Sequence, residues 1–169
     1  MRPNPIIGVD SNGWLHLQAD GRVDELKVIE LGGGAMPQFQ PNVDVRQCFD
    51  GEGRPTVAFT ADLGAPLPIT SDEWDVVFSR YAIEHLSWRL VGGFVREIHR
   101  ILKPGGSAVV VTANGEAQMR WALAQPDWDE RISQCLCGDL DYAENSHKVL
   151  LNPTWAARMF AEAGFTRVL

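Results

Sequence analysis

Val28-Ile29-Glu30-Leu31-Gly32-Gly33-Gly34 reads as a short apolar strand that runs straight into three glycines. A run of this kind is how a strand buried on both faces of a parallel sheet enters a ligand loop. The glycines let the backbone turn sharply and approach a ligand without Cβ clashes. The residues after the loop matter as much. Only Ala35 to Pro41 separate it from Asn42-Val43-Asp44, and Pro37 and Pro41 lie within that stretch. A parallel crossover with a full helix needs a dozen or more residues. The first crossover is therefore expected to be clipped and non-helical.

That clipped crossover bears on the ligand. Dinucleotide sites set a pyrophosphate on the N-terminus of the crossover helix, with an acidic residue ~20 positions further on. Asp44 stands only twelve residues after Gly32. A phosphate-bearing cofactor, and with it a nicotinamide oxidoreductase, is disfavoured.

Outward from this stretch the chain alternates strand and helix patterns. Ile6 to Gln18 reads as a β-hairpin turning at Asn12-Gly13, a pair that tolerates positive φ at both central positions. Further strands are expected at Val43 to Arg46, Thr56 to Thr60, Asp75 to Ser79 and Ser107 to Thr112. Val91, Phe94, Val95, Ile98, Ile101 and Leu102 recur at helical spacing with one buried face. Ser87 is the expected N-cap of that helix, and Pro104-Gly105-Gly106 its stop. Glu116 to Ala124 reads as helical, and Gln125 to Asn145 as irregular or weakly helical. Asn152 as cap, Pro153 at the first helical position and Gly164 as stop frame a last helix. Phe165 to Leu169 reads as a final strand. The expected architecture is α/β, with a mainly parallel sheet and ligands at the carboxyl ends of its strands. The whole chain, 1–169, reads as one domain, with 1–26 a hairpin extension and 27–169 the core.

Composition narrows the function classes. The 169 residues carry a net charge of −7, against the Lys/Arg surplus of a broad nucleic-acid footprint. No apolar run approaches the ~20 residues of a membrane span, and the amino terminus lacks the apolar core of a signal peptide. Three cysteines, an odd number, point to reduced thiols and a cytoplasmic protein. Cys135-Leu136-Cys137 with His147 invites a metal reading, but zinc pairs more often follow a C-x-x-C spacing. No metal is expected.

Three acids close three successive strands: Glu30, Asp44, and Asp62 in Ala61-Asp62-Leu63. Acidic groups there suit a ligand that is cationic and rich in hydroxyls. S-adenosylmethionine, with a sulfonium, an ammonium and ribose hydroxyls but no phosphate, fits that description. Glu30 would face its ammonium, Asp44 its ribose, and Asp62 its adenine amino group, with Leu63 against the ring.

The ordered set Glu30-Leu31-Gly32-Gly33-Gly34, Asn42-Val43-Asp44, Ala61-Asp62-Leu63, Trp74 to Ser79, Ile83-Glu84-His85-Leu86 and Leu102-Lys103-Pro104-Gly105-Gly106 resembles the class I, Rossmann-like S-adenosylmethionine-dependent methyltransferases. The resemblance runs from Lys27 to Leu169 and is closest to compact members with a shortened first crossover. It implies a three-layer, seven-stranded fold, a methyl acceptor (a small molecule or a protein side chain) held above the cofactor, and Gly32, Gly33, Gly34, Ser79 and Arg80 in the cofactor set.

Departures from the family pattern are Met36 in place of a third loop glycine, a hairpin in place of a leading helix, and no segment for the usual last strand. An edge at Phe165 to Leu169 would then need the hairpin or a second copy of the chain to cover it, unless the chain is truncated there. His85, six residues past the fourth strand, is the candidate to deprotonate an acceptor, weighed against a lining role beside Glu84. Trp121 and Trp128 flank the region where the family builds its substrate lid; core packing is the plainer expectation for both. A catalytically silent, cofactor-binding or interaction module is the alternative function.

Overall fold

The structure, a computed structural model, describes residues 6–11, 15–18 and 26–169. Strands β1 (Ile6–Val9) and β2 (Leu15–Gln18) pair antiparallel as a separate two-stranded sheet, with Ile6 opposite Gln18. This is the expected hairpin; its Asn12-Gly13 turn lies outside the described residues.

The central sheet has five strands, all parallel, in the order β5-β4-β3-β6-β7. They are β3 (Val28–Leu31), β4 (Asn42–Asp44), β5 (Phe59–Thr60), β6 (Trp74–Arg80) and β7 (Leu102–Val111). The chain builds outward from β3 in both directions, so the strand order reverses between β3 and β6. In open α/β sheets the crevice at that reversal is where ligands bind. The resemblance implied seven strands; the sheet has five among the described residues.

Two apolar clusters follow from the side-chain alternation of the strands. Ile29, Leu31, Val43 and Val77 face α1 (Val91–Ile101), which buries Val91, Phe94, Val95, Ile98 and Ile101. Leu151 and Met159, the latter on α4 (Pro153–Glu162), join the same cluster. On the opposite face, Val76 and Phe78 pack with Leu26, Val28, Phe39, Val109 and Val111. Phe39 meets Phe78 edge-on at 5.6 Å between ring centroids. The clipped β3–β4 connection thus contributes one phenylalanine where a longer crossover would contribute a helix.

Several boundaries move for local reasons. Helix α1 starts at Val91, capped by Leu90 without a side-chain bond, because Ser87 instead closes the preceding turn through its carbonyl, which accepts from Leu90 N at 2.7 Å. Pro104-Gly105-Gly106 does not end the helix. The chain is already extended at Leu102, and those residues loop out inside β7 between the pairs Trp74–Leu102 and Val76–Ser107. A residue before proline is pushed from the helical region toward extended backbone, which suits Lys103 here. Strand β4 stops at Asp44 and β5 shrinks to two residues.

The stretch read as irregular or weakly helical holds α3 (Glu130–Cys137), capped by Asp129, and it contacts α2 (Gly115–Leu123), capped by Asn114. Asn152 caps α4 as expected, accepting from Trp155 N at 2.8 Å. Phe165 to Leu169 form no strand. Phe165 N donates to Phe160 O, and its ring lies 5.0 Å from that of His99 and 5.1 Å from that of Phe160. The residue's apolar surface goes to the helix layer. The outer strand on that side is therefore β7, which pairs with no strand but β6 among the described residues.

Candidate functional site

The carboxyl ends of β3, β4 and β6 converge with the turn after β5 around the glycine loop. Gly32 has φ +80° and donates its N–H to Val43 O at 2.7 Å. A Cβ there would overlap that of Ala82 and stand 3.3 Å from Leu63 Cδ1. Gly33 donates to Asn42 Oδ1 at 3.0 Å, and a Cβ on it would meet Glu30 Oε1 and Pro37 Cβ at 2.8 Å. Gly34 has φ +56°, donates to Asp44 Oδ2 at 3.0 Å, and has open space where its Cβ would be. Thr56 Oγ1 donates to the Gly34 carbonyl at 2.7 Å, fixing the far side of the loop.

The three strand-end acids occupy different environments. Glu30 is fully buried; its Oε2 accepts from Gln38 N at 2.6 Å and Phe39 N at 2.8 Å. Its Oε1 is buried with no hydrogen-bond partner. Burial pushes the Glu30 carboxyl above its ordinary range, opposed by those two N–H groups and by the charge of Arg80. Asp44 is half-buried and holds Gly34 N with one oxygen and Val45 N, at 2.7 Å, with the other. Asp62 is exposed and tied into its own turn, accepting from Gly64 N at 2.8 Å. Leu63 is buried against Gly32. Ser79 is fully buried, and its hydroxyl donates to Leu31 O at 2.9 Å, which ties β6 to β3 at the strand tips. Arg80 reaches from β6 to the crossover loop, donating to Met36 O at 3.3 Å.

A second group of polar side chains lies past β6. The chain makes one 3-10 turn over Ile83–His85, and the Glu84 carbonyl accepts from Lys148 N at 2.8 Å and Val149 N at 3.3 Å. That pairing carries residues 146–149 across to the turn. The buried Glu84 carboxylate accepts from Thr112 Oγ1 at 3.0 Å. His85 Nδ1 is 3.2 Å from the Ser146 carbonyl oxygen. The His147 ring lies 5.2 Å from that of His85, tilted by 54°, and its Nδ1 is buried with no hydrogen-bond partner. A cavity of about 330 Å³ opens here, lined among others by Tyr81, His85, Gln118, Cys135, Asn145 and His147.

The glycine-loop residues meet as the sequence places them, whereas the approach of His147 to His85 does not follow from any spacing. Nothing in a loop histidine marks it; the backbone pairing of Glu84 with Lys148 and Val149, together with the bond from His147 N to Cys137 O at 2.8 Å, brings it in. Cys135 lines the cavity while Cys137 is exposed, and all three cysteines are unpaired thiols. Trp121 and Trp128 are not the core residues expected: they are 42% and 63% exposed. No helix among the described residues is long and apolar enough to cross a membrane.

Residues 39–110 match the family model described as a methyltransferase domain. The chain is 47% identical over 45 residues to the Escherichia coli protein YafE, a stretch that covers 27% of this chain and 21% of that one. A candidate methyltransferase of Bacillus halodurans shares the fold with a TM-score of 0.55 at 20% identity, over 83% of this chain and 62% of its own. A SAM-dependent methyltransferase of Thermotoga maritima gives 0.59 at 15% identity, over 87% and 67%. The chain thus spans about a fifth of the first relative and about three-fifths of the first structure.

Proposed function

We propose, of a chain that has the α/β fold of the class I methyltransferases and matches their domain model over residues 39–110, that it binds S-adenosylmethionine at the Gly32–Gly34 loop and methylates an acceptor held in the cavity beside His85. The observation that carries this reading is Glu30 Oε1, an acceptor buried without a donor beside Gly32 and Gly33, where no side chain fits. A buried polar atom without a partner costs ~1–3 kcal/mol, which a ligand donor would offset. An ammonium matches that acceptor in charge and hydrogen-bonding sense. Asp44 has lone pairs left for ribose hydroxyls, Leu63 offers an apolar contact for adenine, and Asp62 stands beside it.

When bound, the cofactor supplies an activated methyl group on a sulfonium. The residues contribute placement. Gly32 keeps the floor of the site at backbone level, Ser79 and Arg80 brace β6 against β3 and the crossover loop, and orientation of this kind lowers a barrier by up to ~7–11 kcal/mol. The cavity residues Tyr81, Gln118 and Asn145 offer hydrogen bonds to an acceptor. For an acceptor that must lose a proton, His85 is the residue to take it. With Nδ1–H donated to Ser146 O, its Nε2 keeps a free lone pair.

Calorimetry against S-adenosylhomocysteine and NADH tests the cofactor. Saturable binding of the first and none of the second is expected; silence at millimolar S-adenosylhomocysteine, with an unmoved Tm, overturns the reading. Release of S-adenosylhomocysteine in the presence of oxygen, nitrogen and carbon acceptors tests the transfer. Binding without turnover would favour the silent module.

A further inference from the structure

We propose that Glu84, His85 and His147 form a binding site for one divalent transition-metal ion of the zinc class, open toward the neighbouring cavity. Each of these residues offers one ligand atom, and the three atoms lie within 4.8 Å of one another. Ligands of a tetrahedral ion with bonds of ~2.1 Å stand ~3.4 Å apart, so closing the set onto an ion takes a shift of up to about an ångström at each residue, within the reach of side-chain rotation.

The surroundings favour ligation over a chance cluster. His147 Nδ1 is buried with nothing to bond to. An uncompensated buried nitrogen is costly, and an ion would satisfy it. Metal-bound histidines usually donate their second ring N–H to a carbonyl or carboxylate, which fixes the tautomer and turns the other nitrogen to the metal. His85 Nδ1, 3.2 Å from Ser146 O, has that arrangement. Thr112 Oγ1 likewise orients the Glu84 carboxylate at 3.0 Å. The chain also fixes where the ligands sit, because the Glu84 carbonyl binds the backbone on the far side of His147, at Lys148 N and Val149 N.

Two imidazoles and one carboxylate make a borderline donor set. With only three protein ligands, an ion keeps a position for water or for an oxygen or nitrogen of a small molecule. That position would face the cavity of about 330 Å³ that Glu84, His85 and His147 help to line. An ion there would lower the pKa of a bound oxygen, a task otherwise left to a free His85 imidazole. The site rests on the geometry of these three residues and stands whether or not the glycine loop binds S-adenosylmethionine.

The test uses the full chain stripped with EDTA and titrated with zinc against a colorimetric chelator, then with cobalt(II) as a spectroscopic stand-in. One zinc per chain is expected. Cobalt should give visible d–d bands without thiolate charge-transfer absorption. Losing a direct ligand should cost more than the ~10–100-fold typical of an outer partner, so His85→Ala and His147→Ala should each weaken zinc by at least ~100-fold. Cys135→Ser/Cys137→Ser should bind as the parent does. Zinc that stays tight in a folded His85→Ala/His147→Ala double variant overturns the proposal. So does a thiolate band with cobalt, or the absence of stoichiometric binding. Should the histidine variants fail to fold, the cobalt spectrum and the cysteine variant decide on their own.

Discussion

Gly32 and Ala82 meet with no room for a side chain between them, since a Cβ on Gly32 would overlap that of Ala82. This contact joins the tip of β3 to the segment after β6 and forms the floor of the proposed cofactor site. Gly32→Ala should therefore destabilise the fold by at least ~2 kcal/mol, combining left-handed strain with overpacking. Gly34→Ala has strain alone, because nothing lies within 4 Å of its would-be Cβ, and should cost only ~1–2 kcal/mol. Urea unfolding of the two variants checks the order. A Gly34→Ala variant less stable than Gly32→Ala would contradict it.

Glu30 sets a pH dependence. Its carboxyl is raised above the ordinary range, first by burial and against the pull of the Phe39 and Gln38 N–H groups. The folded state then holds a proton that the unfolded state has released, so the contribution of Glu30 to stability is full below pH ~4.3 and is lost as pH rises through the folded value. Glu30→Gln removes the titration and keeps an oxygen for the Gln38 and Phe39 N–H groups. The stability of Glu30→Gln relative to the parent should rise with pH from about 4.3 upward, read by denaturant melts across pH. A constant difference would mean that Glu30 does not titrate differently on folding.

How much of this is legible in the sequence depends on whether the determinants are local. Asn152 and Pro153 announce α4 because a cap and a fixed φ act within one turn, and the stretch Ala35 to Pro41 of the β3–β4 crossover, with two prolines in it, is too short for a crossover helix. Phe165 misleads because an apolar residue after a glycine suits either a strand or a helix contact. Its choice of Phe160 and His99 is tertiary. Pro104-Gly105-Gly106 reads as a helix stop because proline and glycine mark a break without saying on which side of it a strand begins. Glu30, Asp44 and Asp62 can be found at their strand ends, since the strands themselves are patterned. The pairing of His85 with His147 cannot, as it depends on a contact between segments 62 residues apart.

Glu97 and Arg100 set a second pH dependence. Arg100 donates to both Glu97 oxygens, at 2.9 and 2.7 Å, and to the carbonyls of Ile69 and Leu67, at 2.8 and 3.1 Å. It thereby fastens the segment before β6 onto α1. The guanidinium, foremost by its hydrogen bonds, holds the Glu97 carboxyl below its usual range, against the effect of burial. That contribution is present above pH ~4.3 and is lost as pH falls through the folded value. Arg100→Ala should cost about 2 kcal/mol at neutral pH, a figure kept below the sum of its bonds because the pair is partly open to solvent. The loss should shrink in acid, as denaturant melts at neutral and acid pH would show. A penalty independent of pH would assign the effect to the carbonyl bonds alone.

Asp44 should matter more than His85 for holding the cofactor. Its carboxylate takes Gly34 N on one oxygen and Val45 N on the other, so it is held beside the glycine loop with little freedom to point elsewhere. Charge-assisted bonds to two ribose hydroxyls are worth ~1.5–3 kcal/mol each. Asp44→Ala should weaken S-adenosylhomocysteine by ~10- to 100-fold, at ~1.4 kcal/mol per tenfold. Asp44→Asn can still accept from Gly34 N through its amide oxygen but lacks the charge, and should fall between the alanine variant and the parent. That intermediate value separates ligand contact from collapse of the loop. His85 stands at the cavity with His147 rather than at the glycine loop. His85→Ala should leave this affinity within a few-fold and lower turnover only for acceptors that must lose a proton. Calorimetry on variants shown to be folded by circular dichroism gives the comparison. If Asp44→Ala binds like the parent while His85→Ala loses the ligand, the cofactor sits over the cavity and the glycine loop is a structural turn.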